Sequence, residues 1–227
     1  MKDIYVIRHG PKVRAHDAVG TDNNGIHGPQ TEELVANLPF LSYIQNIATS
    51  SMNRTQATAE YASQFSGAPV QLAHALSPFI EPHTGGPNQP MQTSGPYFSG
   101  EVDFVLPLLD NPLITKHIGD ISQLTEWQAI KGLAALTKAQ MGEFWTYAQI
   151  GERASNYLAR ADTPGLLGVS HSGILEPMIA HGLGRDFTYV ADAIGETQWS
   201  FCEPAKLSYD SQGLAKVAFR GETLRRK

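Results

Sequence analysis

Ile4-Tyr5-Val6-Ile7-Arg8-His9-Gly10 sets four apolar β-branched or aromatic residues directly against two basic side chains and a glycine. A run that is apolar at successive positions suits a strand buried on both faces of a parallel sheet, where helices cover each side. Residues 3–7 are therefore predicted to form a strand that delivers Arg8 and His9 to one edge of a sheet. In open α/β sheets, ligands sit at that edge, beyond the carboxyl ends of the strands.

Reading outward, residues 11–30 are rich in Gly, Asn, Asp and Pro and read as a loop. A helix is predicted over 31–38, with Leu34, Val35 and Leu38 on one face. Ile44–Thr49 is predicted as a second strand running into Ser50-Ser51. Over 53–65, Thr58, Tyr61, Ala62 and Phe65 fall at helical spacing, and Val70–Leu72 suits a third strand. Near the other end, a helix at about 150–161 leads through Asp162-Thr163-Pro164 into the apolar Gly165–Val169 run. Ser170-His171-Ser172-Gly173 and a helix at 174–183 follow. Gln198–Cys202 and Ala215–Phe219 flank Ser211-Gln212-Gly213 and resemble a closing hairpin.

Between these parts, residues 77–100 carry Pro78, Pro82, Pro87, Pro90 and Pro96 among four glycines and read as irregular backbone. Residues 101–146 read as largely helical. Together, 77–146 form a predicted loop and helical insertion capping the active site. Trp127, Trp145 and Trp199 are assigned to packing. The whole chain, 1–227, is thus expected to be one α/β domain, a three-layer α/β/α sandwich with a mostly parallel central sheet and a helical insertion.

With 41% hydrophobic and 17% charged residues, the 227-residue chain can bury a substantial core. A formal charge of −5 argues against a general nucleic-acid or anionic-membrane binder, both of which need summed positive charge. No apolar stretch approaches a membrane span, and Arg8 and His9 interrupt the opening run in a way that disfavours a secretory signal. The single cysteine, Cys202, excludes an intrachain disulfide and fits a reducing compartment, so a cytoplasmic location is expected. Nothing in the sequence sets an oligomeric state.

Arg8, His9, Arg54 and His171 all fall at or just beyond predicted strand ends. A phosphate monoester is a dianion whose cleavage demands positioning and charge stabilisation above all. Arginines fork onto phosphate oxygens, and a neutral imidazole is a competent nucleophile near neutral pH. A second histidine can hydrogen-bond the remaining oxygens, and a carboxylic acid can protonate the departing alkoxide. Arg8 buried without an anion would be costly, and Arg54 at a helix start opposes the helix dipole unless an anion sits there. His16, His27, His74, His117 and His181 receive no role. No His-x-His or His-Glu-x-x-His pair, phosphate-binding Gly-x-x-x-x-Gly-Lys loop or Gly-x-Ser-x-Gly elbow occurs. No metal or organic cofactor is expected.

Three stretches, in order, resemble the histidine phosphatase superfamily, which includes the cofactor-dependent phosphoglycerate mutases. They are Ile4–Gly10, Ser50-Ser51-Met52-Asn53-Arg54-Thr55-Gln56-Ala57-Thr58-Ala59, and Gly168-Val169-Ser170-His171-Ser172-Gly173. The resemblance anchors about a third of the chain. It implies that His9 is the phosphorylated nucleophile and that Arg8, Arg54 and His171 form the phosphate pocket. It also places the proton donor at Glu81, in Ser77-Pro78-Phe79-Ile80-Glu81-Pro82-His83, with His83 or an Asp or Glu of the inserted region as alternatives. Lys12, Ser51 and His83 are candidate substrate contacts, whereas Arg14 reads as solvated. The chain departs from the family pattern at Pro11, Lys12 and Arg14 and over Asp22–Pro29, where mutase-type recognition would reside. The implied activity is a phosphomonoesterase acting on a small or medium-sized phosphorylated metabolite. A phosphoglycerate-mutase-type phosphotransferase and a non-catalytic phosphate-binding regulator are the alternatives.

Overall fold

The computed structural model describes residues 1–11, 26–77, 112–119, 124–141, 146–195 and 199–227. Among these, the elements run β1 (Lys2–Arg8), α1 (Gly28–Ala36), β2 (Asn46–Thr49), α2 (Asn53–Ser66), β3 (Val70–Leu72), α3 (Pro112–Ile118), α4 (Glu126–Ala134), α5 (Lys138–Met141), α6 (Tyr147–Arg160), β4 (Leu166–Ser170), α7 (Leu175–Gly182), α8 (Phe187–Ile194), β5 (Pro204–Asp210), β6 (Gly213–Phe219) and β7 (Glu222–Arg225). Short 3-10 turns at Leu41–Tyr43 and His74–Leu76 lead into β2 and out of β3.

The strands form one sheet in the order β3-β2-β4-β1-β5-β6-β7. From β3 to β1 the neighbours pair in parallel, and from β1 to β7 they pair antiparallel. The sheet is therefore mixed, with a parallel half and an antiparallel half, where the sequence suggested a mostly parallel one. Alternation along the central strands feeds two cores. Ile7, Ile47, Leu167 and Val169 pack with Val35 of α1 and Ala59 and Ala62 of α2. Ile4, Val6 and Leu166 face the opposite side, against Ile150 and Leu158 of α6, Met178 of α7 and Val190 of α8. The sheet is thus covered on both faces, as apolar parallel strands require.

Several boundaries differ from the sequence reading for identifiable reasons. Helix α1 begins at Gly28, inside the stretch read as loop, because the His27 side chain accepts from the Gln30 amide and Pro29 lies in the first turn. Helix α6 starts at Tyr147, where Thr146 and Gln149 form a capping box. Phe65, expected on the buried face of α2, is 45% exposed. The face of α2 that packs is built from small residues, Thr55, Ala57, Thr58, Ala59 and Ala62, which let the helix lie close to the sheet. Within 101–146, the described part contains α3, α4 and α5, in line with the helical reading. Trp127 and Trp199 are buried as assigned; Trp145 lies outside the described residues.

The closing hairpin is displaced from its expected place. Its first strand is Pro204–Asp210, not Gln198–Cys202. Ala205, Leu207 and Tyr209 alternate inward along it, a period-2 pattern that the flanking Pro204 and the polar Lys206 and Ser208 obscure. Helix α8 was not anticipated. It lies over the sheet through Val190, Ala191 and Ile194.

Candidate active site

Strand register brings the site together. Arg8 of β1 pairs with Ser170 of β4, and Thr49 of β2 pairs with Val169. Three adjacent parallel strands therefore end level, and the next residues out are His9, His171 and, on the β2 side, Ser50. Backbone bonds continue past the strand ends, from His9 N to Ser170 O at 2.9 Å and from Ser50 N to Val169 O at 3.2 Å. His9 and Ser50 are thus held by the sheet, and His171 directly follows the last residue of β4. Arg8, His9 and His171 are each no more than 2% exposed, and Ser50 is fully buried.

His9 is fixed in one tautomer. Its Nδ1 lies 2.7 Å from the Gly10 carbonyl oxygen, which can only accept, so Nδ1 carries the hydrogen and the ring lone pair belongs to Nε2. Gly10 is required at its position by close approach. A Cβ there would lie 2.1 Å from Thr31 Oγ1, and the Gly10 amide donates to Thr58 Oγ1 at 2.9 Å. Helices α1 and α2 thereby clamp the residue that orients the His9 ring.

His171 lies beside it, with ring centroids 5.2 Å apart. Its Nε2 is 2.8 Å from Ser50 Oγ, which is 2.6 Å from Thr55 Oγ1. Thr55 donates to the Met52 carbonyl at 2.7 Å, so Ser50 can give its single proton to Thr55 and accept from a protonated His171 Nε2. The Met52 amide also reaches Ser50 Oγ, at 3.3 Å. Sequence reasoning singled out Ser51 instead. Ser51 N and Oγ both meet Ser77 Oγ, at 3.0 and 3.1 Å, and Arg153 holds the Ser77 carbonyl. Desolvation lowers the Arg153 guanidinium to about 10.

Arg54 occupies the first turn of α2 and is 4% exposed. It stands at the N-terminal end of the helix, the positive end of the helix dipole, and the N-cap residue, Met52, makes no side-chain cap bond. Helix end and guanidinium together favour an anion at this point.

Arg8 is supported from the antiparallel half of the sheet. Its NH1 donates to the Trp199 carbonyl at 2.6 Å, and its Cζ lies 4.3 Å from the centre of the Phe201 ring. The same ring is 5.6 Å from His9. The supporting turn is itself braced. Trp199 Nε1 donates to the Glu203 carbonyl at 2.7 Å, the Cys202 amide donates to the Arg8 carbonyl at 3.0 Å, and Arg220 grips the Glu203 carboxylate. Sequence reasoning missed this turn because it read the segment as a strand, and no spacing signal marks Phe201 as a neighbour of Arg8.

Of the predicted site residues, Arg8, His9, Arg54 and His171 gather around the level strand ends, and Ser51 lies one residue from the group that contacts His171. Lys12, Glu81 and His83 lie outside the described residues. Among the described residues, no group of three or more His, Cys, Asp or Glu is placed to hold a metal ion, and no helix is long and apolar enough to cross a membrane. A cavity of about 600 Å³ along α6, lined by Gln71, Arg153, Tyr157 and Arg160, contains neither His9 nor His171.

No protein-family model and no curated relative matches the sequence. Solved structures do resemble it along nearly their whole length. YhfR from Bacillus stearothermophilus is 13% identical, with all of both chains covered and a TM-score of 0.56. A mycobacterial glucosyl-3-phosphoglycerate phosphatase, solved with VO3, is 14% identical over 93% of each chain, with a TM-score of 0.55. A putative α-ribazole-5'-P phosphatase from Escherichia coli is 14% identical over 96% of this chain and 95% of its own, with a TM-score of 0.53. The chain therefore has the α/β fold of the histidine phosphatases, the fold implied by the stretch around Arg8-His9-Gly10.

Proposed function

We propose that this chain is a phosphomonoesterase of the histidine phosphatase superfamily, working through a phosphohistidine at His9. The observation that carries the reading is the tautomer lock. The Gly10 carbonyl holds the hydrogen on His9 Nδ1 and assigns the nucleophilic lone pair to Nε2, with His171 beside it and buried arginines at the end of β1 and the start of α2. The kinship in fold with a glucosyl-3-phosphoglycerate phosphatase supports the reaction class.

In the first step, His9 Nε2 attacks phosphorus and the P–O bond to the leaving group breaks. Arg8, Arg54 and His171 hold the phosphoryl oxygens, and Glu81 gives a proton to the departing alkoxide. In the second step, water attacks phosphohistidine, its proton returns to Glu81, and the P–N bond breaks to release inorganic phosphate and neutral His9. No metal or organic cofactor takes part. The substrate is a small or medium-sized phosphorylated metabolite, with Lys12, Ser51 and His83 as candidate contacts, in a cytoplasmic setting.

A panel of phosphate esters assayed with chelator present tests the reading. Release of inorganic phosphate is expected. Conversion to an isomeric ester with the phosphate retained would mean a phosphotransferase. Phosphate binding without turnover would mean a regulatory binder.

A further inference from the structure

Glu176 is the one buried carboxylate among the described residues, with no solvent exposure at all. It lies five residues after His171, in the first turn of α7. Its Oε1 accepts from Ser172 Oγ at 2.7 Å and its Oε2 accepts from the Gly173 amide at 2.5 Å. A single carboxylate thus grips both residues that follow His171. Gly173 has a φ of +86°, a conformation that L side chains rarely adopt, so the turn is a specific one. The His171 carbonyl in turn accepts the Ile174 and Leu175 amides, at 3.2 and 3.1 Å.

Taking a carboxylate fully out of water is costly unless its partners compensate. Burial raises the Glu176 carboxyl above the usual range, and the Ser172 hydroxyl, the nearby amides and the Arg8 charge offset only part of that rise. The helix dipole at the start of α7 also favours negative charge. Glu176 therefore feels both the His171 turn and the guanidinium at the end of the neighbouring strand β1. A neutral side chain of the same shape would meet the structural need for an acceptor, but it would not balance Arg8.

We propose that Glu176 is a positioning residue of this site, resting on the phosphohydrolase reading. Its carboxylate fixes the turn that carries His171 and offsets the Arg8 charge, so that phosphate is bound firmly enough to react and weakly enough to leave. The group touches no reacting atom. It acts through His171 and Arg8.

The test compares Glu176→Gln, Ser172→Ala and wild type, with inorganic phosphate as the calorimetric probe and an aryl phosphate for turnover. Removing the charge in Glu176→Gln should tighten phosphate binding by about threefold to tenfold while kcat falls by about tenfold or more. A purely structural defect would lower the active fraction without tightening anything. Ser172→Ala, which keeps the carboxylate, should lower kcat and leave phosphate affinity unchanged. Unchanged or weaker phosphate binding in a folded Glu176→Gln would overturn the proposal. If that variant does not fold, Glu176→Asp takes its place. It keeps the charge but loses the reach, so kcat should fall at unchanged affinity, and a shift in affinity would overturn the proposal. A wild type that neither binds phosphate nor turns over would instead overturn the phosphohydrolase reading itself.

Discussion

The two halves of the sheet use their strand ends differently. In the parallel half, β1, β4 and β2 share a direction and end level, so each strand delivers its next residue to the same edge. His9, His171 and Ser50 meet there because the register leaves them no other place. In the antiparallel half, β5, β6 and β7 reverse at each turn. Only the entry to β5 and the Arg220-Gly221 turn reach the site edge, and Arg220 ties the two together through Glu203 at 2.7 Å. That half offers a carbonyl and an aromatic ring to Arg8 and none of the predicted site residues. Parallel register concentrates the candidate site residues, whereas the antiparallel half supplies a carbonyl and a ring to Arg8.

If this division holds, substitutions on the parallel side should damage rate and those on the antiparallel side should damage stability. Apart from the nucleophile itself, the largest effect is expected at Ser50. Ser50→Ala removes the acceptor for His171 Nε2 and should lower kcat by about tenfold to a hundredfold with little change in thermal stability. Steady-state kinetics and a melting curve check both. A loss of stability without a loss of rate would place Ser50 in the packing rather than in the chemistry.

Glu203→Gln should give the reverse pattern, costing about 0.5–1 kcal/mol after discounting for solvent that reaches the pair and changing kcat little. Burial acts to raise the Glu203 carboxyl, but the Arg220 hydrogen bonds and charge and the Ser200 amide outweigh it, so the group lies below its ordinary 4.5. A carboxyl depressed by folding stabilises above its unfolded value, and that contribution is lost as pH falls through the folded value. The difference in melting temperature between wild type and variant should therefore be full near neutral pH and shrink below about pH 4. A difference that persists in acid would mean that the pair is not its source.

The smallest effect concerns Cys202, at the seam between the halves. Burial pushes its thiol up to about 12, and the residue is 2% exposed. A thiol reagent at neutral pH should leave it unmodified until the protein unfolds, because the thiolate is the reactive form. Rapid labelling of the folded protein would show that the seam opens.

The parallel half was largely legible in the sequence. β1 and β4 read as near-continuous apolar runs that end at an abrupt polar residue, so both strands and Arg8, His9 and His171 stand out. Arg54 was legible through the resemblance of its stretch to the histidine phosphatases, supported by the awkward fit of a basic residue at a helix start. The antiparallel half was not. Its first strand alternates Ala205, Leu207 and Tyr209 with Lys206 and Ser208 behind a proline, a weaker pattern than the neighbouring Trp-Ser-Phe-Cys run. The contacts of Ser50 and Glu176 were invisible for another reason. Each depends on which of several nearby polar residues turns inward, and that is decided by register and by the Gly173 turn rather than by spacing.

The most direct test of phosphoryl transfer through His9 is to quench wild type and His9→Ala during turnover of a phosphate ester and measure acid-labile protein-bound phosphate. Wild type should show an adduct that is stable in base and lost in acid, and His9→Ala should show none, together with a fall in turnover on the order of 10³-fold or more. An unchanged adduct or near-normal turnover in His9→Ala would contradict the assignment of His9 as the nucleophile.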